Sequence, residues 1–324
     1  VLLDLSRNGG GKLESSVEIA GLFIPDGGVV AVKNVFSEVQ VLEDPDDDIV
    51  YDGPLVILTS RITASASEIV AGAMKDYGRA VIVGDDHTFG KGTVQSFVHQ
   101  PGRLGAIKVT TALFFRPGGA STQHEGVAAD IVLPSVFATD DLGERYTPYS
   151  LKGQRITPFL SKPTRIKADR TALRPSWPQL DETVLSELAA RSATRVAEDE
   201  DFGEISEQLA KLAEEDDVIH LAELIREREE AEADDTSDET PDEAKGEAKD
   251  EADTTEAPSE TGQPETDAIE SEANAEDEEE EEPTPQRKEA LRILADLVEL
   301  QGTARASWHA QQSASRSESP SSRP

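Results

Sequence analysis

The residues best suited to chemistry lie within Thr59–Gln95, TSRITASASEIVAGAMKDYGRAVIVGDDHTFGKGTVQ. Ser65 sits in a run of small residues (Thr63, Ala64, Ser65, Ala66) that leads from an apolar strand-like stretch into a helix start. A serine presented there suits a hydrolytic nucleophile, because helix N-terminal amides and the helix dipole favour a developing oxyanion. Serine is also a common helix cap, so Ser65 and Ser67 are ambiguous by themselves.

Lys91 supplies the second group. It lies between Gly90 and Gly92, beside Phe89, at the opening of a strand. A lysine acting as general base must shed its proton near neutral pH, which takes desolvation. An apolar, glycine-lined niche could provide that. A solvated or anion-binding lysine in a glycine loop fits the octapeptide equally well. Gln95, four residues on, shares Lys91's face of a strand. A flat strand would hold it too far away, and a bend at Gly92 would bring its amide nearer.

The elements around these residues alternate. Val1–Leu5 reads as a strand running into Asn8, Gly9, Gly10 and Gly11, where the backbone must approach something closely or take positive φ. Ser15 and Glu18 have capping-box spacing ahead of an apolar helix. Pro54–Thr59 and Ala80–Val83 read as strands and Glu68–Tyr77 as a helix of small and apolar residues. Thr93–Val98 and Ala106–Phe115, rich in β-branched and aromatic residues, read as two more strands. The β-α-β order predicts an α/β domain over 1–138. An irregular, Pro-rich connection follows over 139–180. Residues 181–230 carry helical spacing at Val184, Leu185, Leu188, then Ile205, Leu209, Leu212, then Ile219 to Ile225. Arg287–Leu300 is one further amphipathic helix, placed in 285–302 and expected to pack on the helical region. Residues 303–324 are expected to be a disordered tail.

Charge divides the chain. Of 324 residues, 31 are Lys or Arg and 66 Asp or Glu, a net charge of −35. Residues 229–282 hold 26 acids and two bases, Lys245 and Lys249, so about 24 of those negative charges lie there. The stretch 231–284 is too poor in apolar residues to fold and reads as a disordered insert, in most such cases a solvated linker. Binding of cations or of a basic partner is its functional alternative. Nothing clusters Lys and Arg as nucleic-acid binding requires. Cysteine is absent, which removes disulfides, thiolate metal sites and thiol nucleophiles. Five scattered histidines have no metal-ligand spacing, and no cofactor is expected. No apolar run approaches the ~20 residues that span a bilayer. The chain opens without Met in VLLDL, which points to a preceding N-terminal part.

Several of these segments together resemble the carboxy-terminal processing, or tail-specific, serine peptidases. The resemblance rests on TASASE (Thr63–Glu68), DYGRA, TFGKGTVQ, DLSRNGGG (Asp4–Gly11), GLFIP (Gly21–Pro25) and GGASTQHEGVAADIVLP (Gly118–Pro134), in that family's order. ELAARSATRVAEDEDF (Glu187–Phe202) and IREREEAE (Ile225–Glu232) extend it into the helical region. It implies a ClpP/crotonase-like spiral core, followed by a helical C-terminal region, in an endopeptidase cleaving proteins at or near their C-termini. It places the nucleophile at Ser65, since Thr63 takes the first serine of the family's run. It makes Lys91 the base, Gln95 its supporting amide, and the amides of Ala66 and of Gly10 or Gly11 the oxyanion hole. Asp76 matches a position linked to activity. Eleven residues of helix put it roughly 16 Å from Ser65, so its role is orienting. The resemblance also implies protein or peptide substrates with accessible C-termini, an adaptor or oligomeric partner, a PDZ module upstream and a bacterial periplasmic or envelope setting.

Three departures touch the site. Ser6 stands where the family has Arg after DL, the turn Asp85–His87 is one residue longer, and Ala129 replaces a proline. The longer turn raises a Ser-His alternative using His87. A non-catalytic, peptide-binding or scaffold relative is the alternative from another class.

Overall fold

The computed structural model describes residues 1–44, 49–102, 104–139, 141–160, 180–214 and 282–317. They form a mixed α/β unit of two four-stranded sheets and five helices. The first sheet is parallel throughout, in the order β1 (Leu2–Asp4), β4 (Val56–Thr59), β5 (Val81–Gly84) and β8 (Ile131–Val132). The second is antiparallel, in the order β3 (Val39–Glu43), β2 (Gly28–Asn34), β7 (Ala106–Phe115) and β6 (Thr93–His99). Helices α1 (Leu13–Gly21) and α2 (Ala66–Asp76) belong to the first half of the chain. Helices α3 (Glu182–Glu198), α4 (Glu200–Glu214) and α5 (Pro285–Ser317) belong to the second.

A strand's side chains alternate between faces, and here that period divides the core in two. Leu55, Ile57, Ala80 and Ile82 face α1 and α2, where Val17, Ala20, Ile69, Val70, Ala73 and Met74 cover them. Val56, Leu58, Val81, Val83, Ile131 and Leu133 face the other way. They meet Leu188 of α3, Phe202 and Ile205 of α4, and Ala290, Ile293 and Leu297 of α5. The parallel sheet is thus dry on both sides, which is why its strands read as unbroken apolar runs. The helical region completes the core of the unit that carries the candidate site. Arg195 of α3 secures it by pairing with the buried Glu289 of α5 at 2.7 Å and with Asp296 at 2.8 Å.

Four local features differ from the sequence reading. Helix α1 starts at Leu13, with Lys12 at its N-cap, so Ser15 and Glu18 lie inside the helix rather than at its start. The hairpin β2–β3 over Gly28–Glu43 was not predicted, although its β-branched runs flank a turn. Helix α5 continues to Ser317, through residues expected to be tail, in a stretch rich in the helix formers Ala, Gln and Arg. Over 141–160 the connection lacks α-helices and long strands but is held by hydrogen bonds to neighbouring loops, while 161–179 lie outside the described residues. It contains a 3-10 turn at Glu144–Tyr146 and a bridge between Ala120 and Arg155. The expected helical spacing at Ile219–Ile225 and the acidic stretch 231–281 lie outside the described residues.

Ile293, fully buried between α5 and the sheet, tests this arrangement. Ile293→Ala should cost about 2–4 kcal/mol in urea denaturation, through lost transfer energy and the cavity left behind.

Candidate active site

Strands β1 and β4 run parallel, and the loops leaving their C-terminal ends meet. Thr63 Oγ1 donates to the carbonyl of Leu5 at 2.7 Å, and the Ala64 amide donates to the carbonyl of Asn8 at 3.1 Å. The glycine loop is thereby pinned against the start of α2. Gly10 has φ +107°, and a Cβ there would stand 2.7 Å from the Ser65 Cβ and from the Ala64 carbonyl. The glycine is therefore dictated by close approach to Ser65. Its amide donates to Asn8 Oδ1 at 2.9 Å, and Asn8 Oδ1 also accepts the Ser67 hydroxyl at 2.7 Å. Of the amides in the family-implied oxyanion set, that of Gly10 is thus engaged inside the turn.

Ser65 is the N-cap of α2 and has φ +58°, ψ −117°. A non-glycine residue in that region carries strain of about 1–3 kcal/mol and persists only where its surroundings hold it. Ser67, two residues into the helix, is buried and bonded to Asn8. The strained, half-buried serine is Ser65, not Ser67.

What holds Ser65 is Glu68, three residues into the helix and fully buried. Its Oε2 accepts the amides of Ser65 at 2.8 Å and of Lys91 at 2.9 Å. Its Oε1 accepts the Thr88 hydroxyl at 2.5 Å and the Gly90 amide at 2.8 Å. One carboxyl group therefore ties the backbone of Ser65 to the backbone of Lys91. Burial pushes it up to about 7, against the pull of these four donors. The sequence reading missed Glu68. The Ser65–Glu68 pair has the same S-x-x-E spacing that was assigned, wrongly, to the start of α1.

The glycines around Lys91 have a steric cause. A Cβ on Gly92 would lie 2.6 Å from the Gln123 amide nitrogen, and one on Gly90 would lie 3.0 Å from the His124 carbonyl carbon. They admit the loop Ser121–His124, whose His124 amide donates to the Gly90 carbonyl at 2.8 Å. Lys91 itself is half-buried. Gln95 is exposed on β6, immediately past a register shift at which Val94 pairs Ala112 while Gln95 pairs Thr110. Among the described residues no hydrogen bond joins Gln95 to Lys91. The irregularity lies at this bulge, not at Gly92.

The longer turn is tied down on all sides. Asp85 Oδ2 accepts the Arg61 amide at 2.6 Å, and Asp86 takes the Arg61 guanidinium at 2.9 and 3.2 Å. The Phe89 amide donates to the Thr63 carbonyl at 2.9 Å, which ties the end of the turn to the segment before Ser65 two residues ahead of Lys91. His87 Nδ1 lies 2.7 Å from the Thr88 carbonyl and Nε2 3.8 Å from Asp86, which directs the ring at its own neighbours. Asp76 is at the far end of α2. It accepts the Gly118 amide at 2.7 Å and pairs with Arg116 at 3.0 Å, while burial pushes its carboxyl up against the pull of Arg116. It anchors the turn after β7 and touches nothing at Ser65. Among the described residues no cluster of three or more potential metal ligands occurs, and no helix is long and apolar enough to cross a membrane.

Comparison with known proteins gives two family matches. Residues 1–133 match peptidase family S41. Residues 137–299, which are 163 of the 324, match the C-terminal domain of tail specific protease. The chain is 44% identical over 151 residues to the tail-specific protease of Haemophilus influenzae, covering 44% of this chain and 22% of that protein. It is 36% identical over 161 residues to the carboxy-terminal-processing protease of Bartonella bacilliformis, covering 48% and 37%. The chain thus spans well under half the length of these relatives. Among solved structures, the photosystem II D1 C-terminal processing protease is 31% identical, with 44% of this chain and 40% of that chain covered and a TM-score of 0.37.

Two outcomes test this geometry. Ser65→Gly should melt above Ser65→Ala by the equivalent of about 1 kcal/mol, because only glycine relaxes at this φ. Calorimetry of the two variants checks it. The second concerns Glu68. The folded state holds this carboxyl at about 7, above its ordinary 4.5, so it binds the proton more tightly than the unfolded chain does. Its contribution to stability is full below that window and falls as pH rises through it. Relative to the non-titrating Glu68→Gln, the wild type should lose stability between pH 4.5 and 7 and then level off. Urea denaturation of both proteins across this range reads the difference.

Proposed function

The chain belongs to the tail-specific protease family, and we propose that it acts as a serine endopeptidase cleaving protein substrates at or near their C-termini. Ser65 is the nucleophile and Lys91 the general base. The observation that carries this reading is the Glu68 carboxyl, which accepts amides from both residues and so fixes nucleophile and base on one anchor.

In this mechanism the Lys91 amine takes the Ser65 proton as Oγ attacks the scissile carbonyl. The resulting oxyanion is met by the amides of Ala66 and Gly11, at the positive end of α2. Lys91 then gives its proton to the departing amine. Water, deprotonated by the same amine, hydrolyses the acyl-serine. Gln95 orients the Lys91 amine once substrate lies along β6, and Asp76 acts at a distance through the turn at Gly118. The parallel sheet carrying the β1 and β4 loops supports a spiral core of the ClpP/crotonase type. The organisms of these two relatives support a bacterial setting for a protein of this kind, and the periplasm or envelope is the compartment that the family resemblance suggests.

Hydrolysis of an unstructured peptide with a free C-terminus by the full-length protein tests the assignment. Ser65→Ala and Lys91→Ala should each lower kcat by roughly 10³-fold or more, and His87→Ala by no more than ~3-fold. Activity retained in Lys91→Ala but lost in His87→Ala would transfer the base to His87. Peptide binding without hydrolysis in the wild type would make the protein a scaffold.

A further inference from the structure

The loop bearing Lys91 is held from two sides, and the Glu68 anchor accounts for only one. On the other side the Gly92 amide donates to Gln123 Oε1 at 2.8 Å. Gln123 is fully buried, and its Nε2 donates to Glu144 Oε1 at 3.1 Å. The Glu144 amide in turn donates to the Phe89 carbonyl at 2.9 Å. Glu144 thus grips the lysine loop twice, at Phe89 through its backbone and at Gly92 through Gln123. Lys91 lies between the two grips.

Glu144 belongs to the second family match, residues 137–299, whereas Ser65, Lys91 and Gln123 belong to the first, residues 1–133. The segment that carries it is fastened along its length. Arg145 Nε donates to the His124 carbonyl at 3.0 Å, and Ser150 Oγ lies 2.7 Å from His124 Nε2. The Ser121 amide donates to the Gln154 carbonyl at 3.0 Å, and Ile156 and Phe159 pack on Ala31, Leu113 and Phe115. The strap crosses the loop Ser121–His124, the same loop that the glycines flanking Lys91 admit.

We infer that Gln123 and Glu144 are positioning residues for the base, so that the start of the C-terminal region is an integral part of the active site. The inference rests on the Ser65–Lys91 reading. A neutral amide is required at 123 because it must accept from Gly92 and donate to Glu144 at once. A glutamate there still accepts from Gly92 but sets its second oxygen against the Glu144 carboxylate. Exchanging the two residues restores one donor and one acceptor across the contact.

The test is a swap in the full-length protein, with kcat, KM and melting temperature read for each variant on the same free-C-terminus peptide. Gln123→Glu should lower kcat by roughly 30-fold with KM changed less than ~3-fold, the signature of a displaced catalytic group. The double variant Gln123→Glu/Glu144→Gln should return to within ~3-fold of the wild type. Glu144→Ala, at a half-buried position, should lower kcat by about tenfold, and it serves as the readout if Gln123→Glu does not fold. A double variant no faster than Gln123→Glu overturns the inference. So does a Glu144→Ala variant with wild-type kcat. Lys91→Ala in the same assay separates the two readings. If it stays active, the Ser-Lys assignment fails. If it is inactive while the swap gives no rescue, only the positioning role fails.

Discussion

A buried carboxyl with four donors is the interaction on which the site depends. Glu68 stands in the first turn of α2, where it also complements the helix dipole. Two of its donors are amides of the segment Gly90–Lys91, and a third is the amide of Ser65. Remove the acceptor and three N–H groups lose their partner together. The buried one of Gly90 does so at a desolvation cost of about 1–3 kcal/mol, the half-buried ones of Ser65 and Lys91 at less. That concentration lets the chain hold Ser65 at positive φ, a conformation its own side chain disfavours. Strain at the proposed nucleophile and satisfaction at Glu68 are two sides of one arrangement.

The sheet supplies the rigidity behind that arrangement. β1, β4, β5 and β8 are parallel, so their C-terminal ends gather at one edge, and the loops after β1 and β4 meet there. Covering both faces with helices fixes the strands, and the second face is covered by α3, α4 and α5. A stretch of some seventy residues separates α4 from α5 along the chain, yet Ile293 and Leu297 of α5 are fully buried against the sheet. The fold therefore depends on a helix supplied from beyond the acidic stretch.

Legibility in the sequence followed the range of the interaction. The strands β4 and β5 and the helix α2 were readable because burial on one or both faces writes a local period into the chain. Ser65 and Lys91 stood out through small residues and flanking glycines. The cause of those glycines did not, since it is the backbone of Gln123 and His124 about thirty residues on. Glu68 was missed for a related reason. Its spacing to Ser65 is a local pattern, but its bonds to Thr88, Gly90 and Lys91 span twenty residues or more and have no local signature. The S-x-x-E pattern at Ser15–Glu18 looked equivalent and is not used, because α1 gains an extra turn's start from Leu13. The hairpin β2–β3 went unread, although its partner β7 was assigned. The structure shows why they belong together: Ala31 to Asn34 pair with Phe115 to Ala112.

The connection after β8 shows how a segment without periodicity can carry as much positional information as a helix. Composition alone marks 139–180 as irregular, rich in Pro and polar residues, and 141–160 is the part of it that the structure describes without interruption. Its order comes instead from bonds to two other loops, at Phe89 on the lysine loop and at Gly119, Ser121, Gln123 and His124 on the loop after β7. Bonds of that kind join the strap to the Lys91 loop, so the two are coupled in the folded state. By the same coupling it stabilises that loop once formed, since each element presents the other's missing acceptor or donor. A boundary drawn between the two family matches, at residues 133 and 137, therefore cuts the sequence but not the physics. The half that carries Ser65 and Lys91 holds one side of the lysine loop, and the other side is held from beyond that boundary.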